Sequence, residues 1–334
     1  MKKRIVPLFF TTALLLTACG GRDYSPRDYI VDTLDYRDGF KILQLTDIHM
    51  SDKDDQDLHY EYMDMLIREA KEDPLHSGPV DFMVVTGDLF TFASRDTAKG
   101  LFKFLDSFGI PWTVVFGNHD EQTYFPVDWM TSYLNNFGSN CMFKDLQDDK
   151  VQGNCNFAIN LVDGTTLKKQ LIFMDSNRYY FGPYMGYDYF KQDQIDWYSD
   201  LIDETTAQNG GTKVDSLMFY HIPLYEIEDA YKDGTRVFDG RNGNDGKRED
   251  CCPPKENSGF FAKIKEKGST KAMFFGHDHI NTFEVDYQGV KFCYGIKSTD
   301  RIYYAEDLLG YQTITLDGDD INVHRYWHTY AEVK

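Results

Sequence analysis

From residue 40 onward the chain repeats one arrangement, a short apolar and β-branched run, a polar turn, and a longer segment with apolar positions three and four apart. The runs FKILQLTD (40–47), VDFMVVTGD (80–88), IPWTVVFGN (110–118), KQLIFMDS (169–176), DSLMFYHIP (215–223) and KAMFFGHDH (271–279) predict strands. Between them, SRDTAKGLFKFLDSFG sets Ala98, Leu101, Phe102, Leu105 and Phe108 on one helical face, with Ser94 as N-cap and Gly109 at the C-terminal end. DLHYEYMDMLIREAKED and DQIDWYSDLIDETTAQ predict two further helices. Near the end, NTFEVDYQGVKFCYG and YQTITLDGDDINVHRYWHTY predict hairpins rather than crossover units. The stretch from Tyr225 to Asn257 shows neither period and is expected to be a long loop, either substrate-facing or simply at the surface. The alternation of strands and helices, without internal repeat or low-complexity linker, gives the fold class as α/β (α+β) in one domain over 39–334.

Composition narrows this picture. With 334 residues, 42% of them hydrophobic and 16% aromatic, the chain can bury a sizeable core. The formal net charge of −19 argues against a nucleic-acid-binding surface, because affinity for polyanions rests on Lys and Arg neutralising phosphates. A phosphorylated substrate would have to be attracted locally, by metal ions or by arginines such as Arg178, Arg236, Arg241, Arg248 and Arg301.

The first twenty residues, MKKRIVPLFFTTALLLTACG, place three basic residues before an apolar run too short to span a bilayer comfortably, which reads as a secretory signal. Leu16-Thr17-Ala18-Cys19 resembles the lipobox of bacterial lipoproteins. That resemblance implies a signal peptide over 1–18, cleavage before Cys19 and acyl chains on Cys19, and the polar stretch over 19–38 reads as a tether. Each buried CH₂ of such a chain adds about 0.8 kcal/mol of membrane affinity. The implied location is the bacterial cell envelope, lipid-anchored on the periplasmic or cell-surface side. Export would leave Cys141, Cys155, Cys251, Cys252 and Cys293 where disulfides can persist. Their odd number leaves at least one unpaired within the chain, and Cys141 with Cys155 is the expected pair, the alternative being that all are reduced.

Candidate chemistry sits where the apolar strands end: Asp47-Ile48-His49, Gly87-Asp88, Gly117-Asn118-His119-Asp120, His221, and Gly276-His277-Asp278-His279. The carboxyl edge of an α/β sheet is where ligands bind, so loops distant in sequence can converge there. One such cluster alone would be a capping aspartate or a turn histidine. Five in the same position point to a site. Carboxylates, imidazoles and one amide, without cysteine, suit Mn²⁺, Fe²⁺, Zn²⁺ or Ni²⁺. The ligands suffice for two ions bridged by a carboxylate such as Asp88, a pair that acidifies a shared water and neutralises a phosphoryl transition state.

DIH, GD, GNHD, YHIP and GHDH, in that order, resemble the calcineurin-like metallophosphoesterase superfamily, whose pattern is D-x-H, G-D, G-N-H-D/E, a lone His and G-H-x-H. The resemblance implies a four-layer sandwich of two central mixed β-sheets flanked by helices. It assigns Asp47, His49, His279 and Asp88 to one metal and Asn118, His221, His277 and the same Asp88 to the other. His119 would approach the substrate and Asp120 would orient it, whereas Asp278 would be structural. His59, His76, His324 and His328 fall outside the pattern and read as packing or surface residues. VVFGNHDEQ and NSGFF resemble the branch of intracellular plant and fungal phosphatases related to purple acid phosphatases. True purple acid phosphatases have a glycine where His49 stands and a tyrosine where Thr91 stands, so a coloured ferric site is not expected. The expected activity is hydrolysis of small phosphomonoesters by metal-activated hydroxide. Phosphodiester cleavage and an anchored binding protein without catalysis are the alternatives.

Overall fold

In a computed structural model of the chain, residues 24–53, 55–73, 78–146, 150–181, 185–237 and 246–333 are described. Cys19, His76 and Arg241 lie outside the described residues. The chain runs through β1 (Ile30–Asp35), β2 (Phe40–Leu45), α1 (Gln56–Glu72), β3 (Phe82–Thr86), α2 (Arg95–Asp106), β4 (Trp112–Val115) and α3 (Val127–Asn135). It continues through β5 (Phe157–Asp163), β6 (Thr166–Phe173), β7 (Tyr179–Phe181), β8 (Met185–Tyr187), α4 (Gln192–Gln208) and β9 (Asp215–Phe219). The last third comprises α5 (Ile227–Asp233), β10 (Thr235–Val237), α6 (Phe260–Lys267), β11 (Thr270–Phe275), β12 (Glu284–Tyr287), β13 (Val290–Tyr294), β14 (Gly310–Asp317) and β15 (Asp320–Trp327).

Two mixed sheets carry the fold, one ordered β15-β14-β2-β3-β4 and the other β1-β5-β6-β9-β11-β13-β12-β10. Alternation along the second sheet explains the layering. Phe157, Ile159, Leu171, Phe173, Leu217, Phe219 and Phe274 face the first sheet, whose other face is covered by α1, α2 and α3. Their sequence neighbours Ala158, Ile172, Met218, Met273 and Phe275 point the opposite way, onto α4 and α6. Because both faces of the central strands are buried, these strands read as unbroken apolar runs. The result is the expected four-layer order of helices, sheet, sheet and helices.

The predicted helix over Arg95–Asp106 forms as expected: the Ser94 hydroxyl accepts from Thr97 N at 3.5 Å, and Ala98, Leu101, Phe102 and Leu105 are buried. Both predicted hairpins form, β12 pairing with β13 and β14 with β15, each antiparallel.

Three expectations are corrected. The tether assigned to 19–38 contains β1, which pairs in parallel with β5 from Ile30 opposite Ala158. Just before β1, Tyr29 is buried against Trp197 of α4, at 5.4 Å between ring centroids. An edge strand that exposes Asp32 and Thr33 looks like polar linker in sequence, because its partner supplies the pairing. The loop from Tyr225 to Asn257 contains α5 and β10, the latter closing the end of the larger sheet against β12. Cys141 and Cys155 are both free thiols, as are Cys251, Cys252 and Cys293, so no disulfide links any two of them. Cys155 is wholly buried beside Phe157, where it packs as a small hydrophobe.

Candidate metal centre

The parallel strands β2, β3 and β4 of one sheet and β9 and β11 of the other end at one rim, and their next few residues carry the clustered side chains. Asp47, His49, Asp88 and His279 present ligand atoms all within 4.8 Å of one another, and all four residues are buried. Turning four side chains into one point demands unusual backbone. Asp47, His49, Asp88 and His277 have φ of 53°, 51°, 50° and 84°, the left-handed region that L-residues avoid. The glycines of the motifs serve close approach: a Cβ on Gly117 would collide with Asp88, and one on Gly276 with Thr46 and Asp47.

Hydrogen bonds on the far side of each ring decide which nitrogen faces the centre. His279 Nδ1 donates to the Tyr303 carbonyl at 2.8 Å and His221 Nδ1 to the Thr86 carbonyl at 2.7 Å, which turns both Nε2 atoms toward the centre. Ring nitrogens and a carboxylate oxygen then crowd together: His49 Nε2 lies 3.0 Å from His279 Nε2 and 3.6 Å from Asp88 Oδ2, which is itself 3.2 Å from His221 Nε2. Asn118 Oδ1, His221 Nε2 and His277 Nε2 are buried without a hydrogen-bond partner. Asn118 is oriented by its amide nitrogen, which donates to Tyr179 Oη at 2.9 Å. Buried polar atoms without partners beside buried carboxylates are unfavourable unless a cation, either a proton on His221 or a metal ion, lies among them. The clustered donors at Asp47, His49, Asp88 and His279 therefore fit one ion, and Asn118, His221 and His277 would, with Asp88, be the residues to hold a second.

Electrostatics agree. Burial opposes ionisation of Asp47 and Asp88, but the surrounding histidines hold both carboxyls below their usual range. Burial drives His277 down to about 3, helped by His221, and lowers His49 and His279, with Lys297 adding to both. His221 is pushed up to about 10 because Asp88 and Asp47 outweigh the effect of burial. A divalent ion would displace that proton, so metal binding and proton release are coupled here.

The structure corrects one assigned role. Asp120 does not hold His119: its carboxylate accepts from Gly117 N at 2.8 Å and from Phe90 N at 3.0 Å, tying together the loops that follow β3 and β4. The residue that orients His119 is Gln122, whose Oε1 accepts from His119 Nδ1 at 2.8 Å while its Nε2 donates to Tyr179 Oη at 3.4 Å. His119 is half-buried, its ring 5.0 Å from that of His49, and its backbone N donates to Asp88 Oδ1 at 2.8 Å. Asp278 points away, accepting from Tyr294 Oη and Cys252 N, as its structural reading requires.

Sequence reasoning missed Gln122, Tyr179, Tyr187, Tyr303 and Lys297. Tyr187 stands edge-on to His277 at 4.3 Å between centroids, Tyr303 stacks on His279 at 4.2 Å, and Lys297 Nζ donates to the Asp47 carbonyl at 2.7 Å. Gln122, three residues after His119 in GNHDEQ, is the one whose spacing alone offered a signal. Thr91 meets His49 Nδ1 at 2.8 Å, on the ring face away from the centre. Of the arginines considered as phosphate donors, Arg178 is paired with Glu121 and Arg248 with Asp307, and Arg236 lies over the Tyr231 ring. His59 Nδ1 hydrogen-bonds with the Tyr330 hydroxyl at 2.8 Å, and His328 lies between Glu69 and Glu332.

Comparison with known proteins gives a consistent result. The profile described as calcineurin-like phosphoesterase matches residues 40–281. An Arabidopsis thaliana protein named probable inactive purple acid phosphatase 29 is 28% identical over 287 residues, covering 77% of this chain and 71% of that protein. Phosphatase DCR2 of Saccharomyces cerevisiae is 27% identical over 267 residues, 73% of this chain and 44% of that protein. Among solved structures, a dimetal phosphatase from Danio rerio superposes with a TM-score of 0.55 at 14% identity, over 88% of this chain and 100% of that one. This last likeness is one of fold.

Proposed function

This chain belongs to the calcineurin-like phosphoesterase family, and from that premise we propose that it hydrolyses small phosphomonoesters with two divalent cations. The observation that carries the proposal is the set of three buried polar atoms without hydrogen-bond partners among the described residues, on Asn118, His221 and His277, beside the four-residue ligand cluster. When bound, two such ions acidify water into a nucleophile and offset charge on the phosphoryl group, and Mn²⁺, Fe²⁺, Zn²⁺ or Ni²⁺ would suit these donors.

The chain's own residues do the rest. Gln122 accepts at Oε1 from His119 Nδ1, which fixes the ring, and in its imidazolium form the ring would give its Nε2 proton to the departing alkoxide and be left neutral with the proton on Nδ1. Tyr179 Oη accepts from both Asn118 and Gln122, which directs its own proton elsewhere and supplies a donor for a phosphate oxygen. The ribbon β7–β8 favours monoesters over diesters, because Tyr179 and Tyr187 narrow the space beside Asn118 and His277 that a second alcohol would need.

A panel of phosphomonoesters and phosphodiesters tests this with the Mn²⁺-loaded protein. The expected result is a monoester kcat/KM at least about tenfold higher, a transition-state difference of about 1.4 kcal/mol. Equal or reversed preference would favour the diesterase reading. A second reading, a family fold that binds without turning over, is favoured by the word inactive in the names of the plant relatives. No turnover of any ester with both metals bound would establish it.

We also propose that Cys19 carries the lipid that anchors the protein in the cell envelope, on the strength of the Leu-Thr-Ala-Cys motif. Cys19→Ser should move the protein from the membrane to the soluble fraction with unchanged turnover. Persistence in the membrane pellet would point to an uncleaved signal segment.

A further inference from the structure

Large apolar side chains exposed to solvent sit on the segments that touch the metal ligands. Phe92 and Tyr124 are 53% and 64% exposed, Phe181 and Met185 77% and 75%, and Ile302 and Tyr303 52% and 45%. They belong to three segments, each touching a ligand. Phe92 follows Thr91, whose hydroxyl meets His49, and its backbone N donates to the Gln122 carbonyl at 2.8 Å. Tyr124 is tied to that loop through Ala93. Phe181 pairs with Met185 across the ribbon whose Tyr179 and Tyr187 meet Asn118 and His277. Tyr303 lies on His279, with its hydroxyl on Glu249.

Two of these positions are strained as well as exposed. Phe92 has a φ of 53° and Ile302 a φ of 67°, and a β-branched residue in that region is a true outlier. Strain that holds an apolar side chain in water has no reason in the folding of the chain itself, and such positions cluster where ligands bind. Charge narrows the occupant. Arg178 and Arg248 are committed to Glu121 and Asp307, and the chain carries a net charge of −19, so a polyanionic leaving group meets an unfavourable field.

We infer that this rim holds the organic part of the substrate, and that the substrates are phosphate esters of apolar alcohols rather than of sugars or nucleotides. The inference rests on the phosphomonoesterase reading, naming the substrate class of that same site. Apolar side chains on three segments that each reach a ligand would take a hydrocarbon chain out of water over its first several carbons.

The test is binding of methyl-, propyl-, hexyl- and octylphosphonate to the full Mn²⁺-loaded protein by calorimetry, since phosphonates are not hydrolysed and the readout does not depend on turnover. A fully buried methylene would tighten binding about fourfold and a half-covered one about twofold, so octylphosphonate should bind about 10²-fold more tightly than methylphosphonate. Phe181→Ser and Ile302→Asn should each flatten this dependence, measured as the octyl-to-methyl ratio within one variant; asparagine tolerates the left-handed backbone at 302. A flat series with active turnover of phosphomonoesters would overturn the inference and leave the phosphatase reading standing. A steep series with no turnover would place the fault in the hydrolase reading instead. If the variants lose sedimentation with phosphatidylglycerol vesicles while the phosphonate series is unchanged, the rim is a membrane contact and the inference fails.

Discussion

Asp88→Asn should leave a folded protein that purifies with well under two metals per chain and turns over at least about 10³-fold more slowly. Asp88 Oδ2 lies between the two ligand sets, 3.6 Å from His49 Nε2 and 3.2 Å from His221 Nε2, so one charge serves both. The second oxygen, Oδ1, accepts from His119 N at 2.8 Å. An asparagine can keep that bond through its carbonyl and aim its amide protons at the lone pairs of His49 and His221. The substitution thus satisfies the local hydrogen bonding while replacing the anion with a donor, and a cation is excluded where it was attracted. Loss of several kcal/mol of charge stabilisation in the transition state corresponds to the stated factor, about 4 kcal/mol for 10³. Metal analysis and turnover on one sample suffice. Two metals per chain with near-normal turnover would show that Asp88 does not bridge.

His119→Asn should keep both metals and slow alkyl phosphates by about 10² to 10⁴, while p-nitrophenyl phosphate slows much less. A general acid matters most when the departing alkoxide is a strong base, whereas p-nitrophenolate leaves unassisted. The hydrogen bond that links residue 119 to the metal ligands is donated by its backbone N–H to Asp88, which the substitution preserves, and of its contacts with those ligands only the ring contact with His49 is lost. Equal slowing of both substrates would assign His119 to charge stabilisation alone, and loss of metal would make it a ligand. Because Gln122 Oε1 orients the ring, Gln122→Leu should give the same substrate pattern in weaker form. Asp120→Asn should not reproduce it, since that carboxylate serves Gly117 and Phe90.

The residues of the centre were legible in the sequence because the constraint that creates them is local. A strand ends, a glycine allows close approach, and the next one to three residues must be acids, amides or imidazoles, so DIH, GD, GNHD, YHIP and GHDH stand out against apolar runs. Strand and helix positions were legible for a related reason, since each central strand is buried on both faces and each helix on one. What escaped depends on partners far along the chain. β1 is a strand because β5, more than a hundred residues later, offers it an edge. Asp120 follows His119 in the chain but turns to the Gly117 and Phe90 amides, and Gln122 takes its place, a choice made by packing within the loop rather than by residue type. Tyr179 reaches Asn118 across 61 residues, and Tyr303 covers His279 across 24. The sequence by itself determined the layered α/β architecture and which side chains converge. Only the tertiary structure decided how each histidine is oriented, that the five described thiols stay unpaired and which aromatic rings meet His277 and His279. Periodicity and motif spacing record what a residue's near neighbours require, whereas orientation and shape arise from contacts that exist only once the two sheets have packed.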